Sequence, residues 1–377
     1  MMRRALWLLI LITLVLIGCR QSDSPDDIGP VFDVADTLGG QAQEGYARAE
    51  AVREFHFPAD HGPHPDFQTE WWYFTGNLND KEGARYGFQL TFFRIALSPQ
   101  TVERESDWAT RQAYMAHFAI TDASGEKFYG FERFSRGAAG LAGAELDPFR
   151  VWLEDWSISN ANGNEFPWEL KASTGSIGFS LSIEPLKDIV LQGDRGLSQK
   201  SGAVGNASYY YSITRLAAEG TITIDGEVHY VKGTAWLDRE WSTSALGEGQ
   251  IGWDWFALQL DDGRDIMYYQ LRQEDGQADP SSQGIIVSPQ GNKTGLNASD
   301  VKLEVLNTWE SPGGGLYPLE WRMTLIPSDE TLIIRTILEG QEQNLSVRYW
   351  EGAIDVFDET GEEEIGRGYM ELTSYDE

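Results

Sequence analysis

Short runs of alternating polar and apolar residues, separated by turn pairs, leave this chain little besides antiparallel β-sheet. Tyr86-Gly87-Phe88-Gln89-Leu90-Thr91-Phe92-Phe93 is one such run, and Ala116 to Thr121, followed by Asp122-Ala123-Ser124-Gly125, is another. Gly220 to Ile224 and Val228 to Val231 flank Asp225-Gly226, the dipeptide that a two-residue hairpin with positive φ requires. Leu258 to Leu260 and Ile266 to Leu271 flank Asp261-Asp262-Gly263 in the same way. No long 3.6-residue period with caps is present, and Glu44 to Phe55 and Ser106 to Gln112 are the best short helix candidates. Evenly spaced strands with turn signals predict an all-β fold of sandwiches or barrels.

The pattern repeats. Gly233-Thr234-Ala235-Trp236-Leu237-Asp238 echoes Gly366-Arg367-Gly368-Tyr369-Met370-Glu371, and Glu219-Gly220 echoes Glu351-Gly352. Earlier in each half, Trp72-Tyr73-Phe74 with Leu78 echoes Asp254-Trp255-Phe256 with Leu260. Two echoes in the same order predict two related β domains in tandem, split near Ser242 to Gly252. The boundaries are set at 54–245 and 246–377.

With 59 acidic against 29 basic residues and a formal charge of -30, the chain lacks the basic face that phosphate backbones demand, so no nucleic-acid partner is expected. Hydrophobic residues at 41% and 46 aromatic ones are enough for large cores and exclude a disordered chain.

The N-terminus has a basic head, Arg3-Arg4, then a 13-residue apolar run from Ala5 to Ile17, then Gly18-Cys19. The run is well short of the ~20 residues of a spanning helix and fits a secretory signal, residues 1–18. Leu16-Ile17-Gly18-Cys19 resembles the lipobox of bacterial lipoproteins, which implies cleavage before Cys19 and its acylation. Cys19 is the sole cysteine, so no internal disulfide or cysteine zinc cage is available. Arg20 at the second mature position implies the outer membrane of a Gram-negative bacterium, facing the periplasm. Residues 19–53, polar and turn-rich at Gln21 to Asp27, are read as a flexible tether.

Two clusters could carry chemistry. His56, His61 and His64 fall within nine residues of a Pro- and Gly-rich loop that leads into Glu70-Trp71-Trp72-Tyr73. These histidines either approach a metal from the loop or hydrogen-bond and cap it. The spacing names no ligand set, so no metal and no cofactor are assigned. The second cluster is Trp236-Leu237-Asp238-Arg239-Glu240-Trp241. Two carboxylates around an arginine among indoles suit either a general acid of raised pKa or a structural ion pair through Arg239. No nucleophile elbow and no phosphate-cradling glycine loop are found.

At these clusters the chain resembles the AttH family. The likeness is carried by His56-Phe57-Pro58-x-Asp60-His61-Gly62-x-His64-Pro65, by Thr69-Glu70-Trp71-Trp72-Tyr73, by Gly233-x-Ala235-Trp236-Leu237-Asp238-Arg239-Glu240-Trp241, and by Gly252-Trp253-Asp254-Trp255-Phe256. Ser208-Tyr209-Tyr210-Tyr211-Ser212 and Tyr268-Tyr269-Gln270-Leu271-Arg272 extend it. These are secreted lipocalin-like proteins, often described as predicted secreted hydrolases and related to carotenoid 1,2-hydratases and fungal Diels–Alderases. The resemblance spans about Phe55 to Tyr375. It implies two tandem lipocalin-like β-barrel domains with a hydrophobic ligand pocket at or near their junction.

What the resemblance implies for chemistry is altered at two positions. Arg239 stands where the hydratase pattern carries a histidine, and Gln270 where it carries an acid. An amide cannot donate a proton to carbon. Acid–base work is therefore expected from Asp238, Glu240 or Glu70. His61, Trp71, Trp72, Tyr73, Arg239, Trp241, Trp253, Tyr269 and Gln270 are expected around an apolar small molecule, since indoles and phenols combine area with a polar handle. The expected activity is hydrolysis, hydration or rearrangement of that molecule. The alternative is a non-catalytic carrier of a lipid or metabolite, with an ABC-type export system as its partner.

Overall fold

The computed structural model describes residues 32–33, 44–100, 106, 108–160, 163, 165–243 and 246–375. Cys19 and the signal segment 1–18 lie outside them. After β1 (Phe32–Asp33), the first sheet is built from long strands and a meander. The long strands are β2 (Thr69–Asp80), β3 (Arg85–Ala96), β4 (Gln112–Asp122) and β5 (Lys127–Arg136). The meander is β6 (Ala142–Leu146), β7 (Phe149–Leu153), β8 (Trp156–Ser159), β9 (Trp168–Thr174) and β10 (Ile177–Pro185). Short β11 (Val190–Leu191) and β12 (Leu197–Gln199) precede β13 (Ala207–Ile224) and β14 (Glu227–Ser242).

These strands order as β5-β4-β3-β2-β14-β13-β10-β9-β8-β7-β6, with β11 and β12 also on β13. The sheet is antiparallel and curls into a nearly closed barrel. Arg133 of β5 spans the gap: it pairs with Asp155, donates to the Ser173 carbonyl at 3.2 Å and lies 4.3 Å over the Trp156 ring.

The second sheet uses β15 (Gln250–Leu260), β16 (Asp265–Gln273), β17 (Gln283–Val287), β18 (Lys293–Asn297), β19 (Val301–Glu310) and β20 (Leu316–Leu325). It continues with β21 (Glu330–Thr336), β22 (Glu342–Asn344), β23 (Val347–Phe357) and β24 (Glu364–Leu372). Its order is β18-β17-β16-β15-β24-β23-β21-β20-β19, with β22 and, in parallel, β1 on β23. Asp225 and Gly226 take φ of 53° and 84°, the conformation the β13–β14 hairpin required of them.

Among the described residues, side-chain alternation creates three large apolar cores and a small fourth one of Phe93, Met115, Val347 and Tyr349. Phe74, Phe88, Leu237 and Trp241 point into the first barrel, and Phe256, Trp321, Trp350 and Met370 into the second. The opposite faces of the same strands, Tyr73, Tyr210, Trp255, Tyr269 and Tyr369, form a third core between the two. Gly87 permits that approach, since a Cβ there would stand 2.9 Å from Ala353 Cβ and from the Tyr369 hydroxyl. The junction is pinned by ions. Asp265, fully buried on β16, accepts Thr214 Oγ1, Arg215 Nη2 and Lys187 Nζ, each at 2.7 Å. Arg85 pairs with Asp355, and Arg367 donates to Asn79 at 2.9 Å.

Four local expectations change. Glu44 to Phe55 forms no helix: Ala47 N–H bonds the Asp66 carbonyl and Tyr46 hydroxyl the Ala96 carbonyl, so long-range bonds hold it irregular. For the same reason the segment read as tether joins the folded body from Tyr46 onward, where Tyr46 and Ala49 are buried. The described part of Ser106 to Gln112 is also non-helical. The histidine loop, expected to be irregular from its prolines and glycine, contains one 3-10 turn at Ala59–His61.

Candidate functional site at the junction

A cavity of about 90 Å³ opens inside the third core, several times the room one water needs. β2 contributes Trp71 and Tyr73, β14 Asp238 and Glu240, and β13 Tyr210. From the second sheet come Trp253 and Trp255 of β15, Tyr269 of β16, Tyr349 and Glu351 of β23, and Glu371 of β24. Lys200 enters from the segment after β12. The partly exposed Trp71, Trp253 and Leu246 mark the mouth.

Four carboxyl groups thus face one aromatic cavity with one lysine. Asp238 is held on three sides: Ser212 Oγ and the Trp236 indole donate to Oδ1 at 2.5 and 2.7 Å, and the Tyr210 hydroxyl to Oδ2 at 2.5 Å. Burial pushes its pKa up to about 6 against the pull of those bonds, with the Glu240 charge adding to the rise. Glu240 pairs with Lys200 Nζ at 2.9 Å. Burial pulls Lys200 down, but the Glu240 charge and Tyr269 outweigh it, so the ammonium is held above its usual range. Tyr269 in turn bonds Ser198 at 2.8 Å and accepts from Gln283 at 2.6 Å.

Glu351 and Glu371 lie opposite each other across β23 and β24. Burial raises both; the Glu371 charge adds to the rise of Glu351, and the Asp238 and Glu240 charges add to that of Glu371. The Trp253 indole donates to Glu371 at 2.8 Å. Neither Glu351 oxygen has a hydrogen-bond partner of good geometry; the Tyr73 and Tyr349 hydroxyls lie near enough only to temper its rise. Glu351 is thus a buried carboxyl whose protonated form burial favours, and it faces the cavity beside the Tyr73 and Tyr349 hydroxyls.

Of the expected site residues, Trp71, Tyr73, Asp238, Glu240, Trp253 and Tyr269 meet here, and the others do not. The reason is strand parity. On β14, Asp238 and Glu240 face the junction, whereas Arg239 and Trp241 face the first barrel. Arg239 therefore pairs with neither neighbour but with Glu70 Oε2 at 2.5 Å, and lies 3.9 Å over Trp72. Glu70 also pairs with Arg94. Burial pushes Glu70 up, but the two guanidiniums outweigh it and hold it far below the usual range, so it is a fixed anion and no proton donor.

Trp72 sits in the barrel core and donates to the His61 carbonyl at 2.9 Å. His61 lies in that barrel too, with Nδ1 2.6 Å from the Tyr211 hydroxyl and Nε2 3.2 Å from Glu165. Burial first, and Arg239 second, depress it to about 3. His64 stacks on Trp241 at 3.7 Å and meets Asp60 and Glu70, so the loop histidines bond, as capping groups do, in different directions. Gln270 faces the second barrel beside Asp254, 3.4 Å away.

Tyr210, Trp255, Tyr349, Lys200, Glu351 and Glu371 were not among the expected residues. Glu371 stood in the sequence as the echo of Asp238, and Tyr210 lay inside a quoted motif; Lys200 carries no local signal.

The comparisons agree with this architecture. An AttH from Nitrosomonas europaea is 31% identical, with a TM-score of 0.76 over 87% of this chain and 99% of that one. Kievitone hydratase from Nectria haematococca is 13% identical, with a TM-score of 0.65 over 92% and 98% of the two chains. CghA is 12% identical, with a TM-score of 0.51 over the same shares. Both are likenesses of fold. Among curated proteins none matches. The AttH-like pattern runs through residues 48–375, across both sheets and every wall of the cavity, and the chain belongs to the AttH-like family.

Proposed function

We propose that this chain is an acid–base enzyme of hydratase or hydrolase type, acting on an apolar small molecule in the junction cavity. The observation that carries the reading is Glu351, a buried carboxyl that faces the same aromatic space as the carboxylate of Asp238, which three donors hold in place. In a hydration, Glu351 gives its proton to one carbon of a double bond. The neighbouring carbon, now cationic, is faced by indole and phenol rings and by Asp238. Water adds to it, and the surplus proton of that water passes to Asp238. Glu240 and Lys200 fix the polar rim. The kinship in fold with a protein whose name is hydratase supports this class. The lipobox-like segment supports placing the enzyme on the periplasmic side of the outer membrane, held by acylated Cys19.

Mass spectrometry of whatever co-purifies with the folded body supplies the substrate. Glu351→Gln and Asp238→Asn should then retain binding and lose turnover by about a hundredfold or more. Retained turnover in both variants would remove these two acid–base roles, whereas binding without any turnover by the unaltered protein would instead favour a carrier that hands the molecule to an ABC-type export system.

A further inference from the structure

A chain of polar side chains leaves the cavity through the junction. Tyr349 lines the cavity on the same face of β23 as Glu351, two residues away. Its hydroxyl lies 2.8 Å from His117 Nδ1 on β4 of the other sheet. His117 is fully buried between Phe93 and Tyr349, and its Nε2 has no hydrogen-bond partner. That nitrogen is aimed at Glu132 Oε2, 3.8 Å away. Glu132, on β5, is 23% exposed and is held by Ser346, whose N–H and hydroxyl donate to its two oxygens at 3.0 and 2.6 Å.

A purely structural histidine bridging two barrels has no need of a second nitrogen left unbonded and pointed at a surface carboxylate. Buried nitrogens without partners are costly, and one that persists calls for a reason. Imidazole can accept a proton at one nitrogen while releasing another from the second, which no other side chain does near neutral pH.

We propose that Glu132, His117 and Tyr349 form a proton relay that connects bulk solvent with Glu351. The proposal rests on the reading of Glu351 as the acid. In one passage the Glu132 carboxyl, protonated from solvent, closes on Nε2 and gives up its proton there. Nδ1–H passes its proton to the Tyr349 oxygen, and the Tyr349 O–H proton goes to the Glu351 carboxylate. Three O–H or N–H bonds break and three form, and the net result is one proton moved inward. Glu351, left anionic by turnover, is thereby reset without drawing on Asp238, whose proton leaves through the mouth. Burial holds the imidazole to about 3, so it rests neutral and carries a proton only in passing.

The test needs no substrate. In D2O, the carbonyl stretch of the protonated Glu351 carboxyl shifts as its proton exchanges, and Glu351→Gln identifies the band by removing it. His117→Gln keeps a donor and acceptor for Tyr349 but cannot shuttle a proton. The relay requires exchange in His117→Gln to slow by about a hundredfold, the scale of positioned proton transfer, and Glu132→Gln to slow it as well. Circular dichroism and melting confirm that both variants fold. Unchanged exchange in a folded His117→Gln overturns the relay, since Glu351 then exchanges through the cavity mouth. That result leaves the acid role of Glu351 standing, whereas undiminished turnover by Glu351→Gln removes the acid role itself.

Discussion

Asp238 and Glu371 occupy the same register position in two related sheets. Leu237 lies opposite Phe74 and Asp238 opposite Tyr73; Met370 lies opposite Phe256 and Glu371 opposite Trp255. The strand pairs β2–β14 and β15–β24 are thus counterparts, and at this register position each presents one aromatic residue and one acid to the cavity. The Glu219-Gly220 echo does not share this property. Gly220 faces Val231 and Gly352 faces Met370, so the counterpart of Glu351 is Ser212, which faces Asp238. The acid of β23 therefore stands in one half only, and it brings a further carboxyl to the buried cluster.

That cluster has a pH signature. Asp238, Glu351 and Glu371 have raised pKa values in the folded state, so the stability they contribute is present below the ordinary carboxylate range and lost as pH rises through the folded values. For Asp238 the window runs from 3.8 to about 6, and for Glu371 from 4.5 to about 7. The protein should therefore melt at a lower temperature at pH 8 than at pH 5. Glu351→Gln, which keeps the shape and removes the charge, should raise Tm at pH 8 by more than at pH 5, at about 2–4 °C per kcal/mol gained. Calorimetry at the two pH values decides it, and equal shifts would contradict a buried, proton-holding Glu351.

Glu70 sets the opposite limb. Its lowered pKa contributes stability that is present above 4.5 and lost as pH falls below it. Replacing it leaves Arg94 and Arg239 buried with no anion between them. Glu70→Gln should cost about 3–5 kcal/mol, read as a lower urea midpoint at unchanged slope. Because both arginines face the barrel and not the cavity, ligand affinity of the folded fraction should be unaltered. A loss of affinity without a loss of stability would return Glu70 to the site.

Much of this was legible. Asp225-Gly226 and Gly263 fixed two hairpins by their conformational needs alone, and the echo of Trp72-Tyr73-Phe74 in Asp254-Trp255-Phe256 located the two sheets. The site was legible only as a set of motifs. Trp71-Trp72-Tyr73 and Asp238-Arg239-Glu240 read as clusters along the chain, but in a strand neighbours part to opposite faces. Parity applied to Asp238 would have taken Tyr73 and Glu240 and discarded Trp72, Arg239 and Trp241. Lys200 and the pairing of Arg239 with Glu70 depend on how distant strands lie beside one another, which local sequence does not encode.

Asp265 tests whether the cavity depends on the junction. Its partners Lys187, Arg215 and Thr214, which it accepts across the two sheets, do not line the cavity. Asp265→Ala leaves two cations at the junction without their anion and should destabilise the protein by about 3–5 kcal/mol. Amide hydrogen exchange in β13 and β16 should rise well before global unfolding, with ligand affinity falling in parallel. Exchange that rises uniformly across both sheets would show that the barrels do not part there.

Gln270→Glu separates position from chemistry. The hydratase-like pattern would have an acid at this point in the sequence, and a restored carboxyl is the obvious route to greater activity. β16 turns Met267, Tyr269 and Leu271 toward the junction, however, and Tyr268 and Gln270 toward the second barrel. A glutamate at 270 would meet Asp254, whose pKa burial already raises against the pull of Arg272 and Tyr375. Two carboxyls at that distance cannot both ionise, so the variant should lose about 1–3 kcal/mol at neutral pH, recover part of it near pH 5, and gain no turnover. A gain in turnover at unchanged stability would mean that residue 270 reaches the substrate, and that the reacting space lies inside the second barrel, away from the cavity of Glu351 and Asp238.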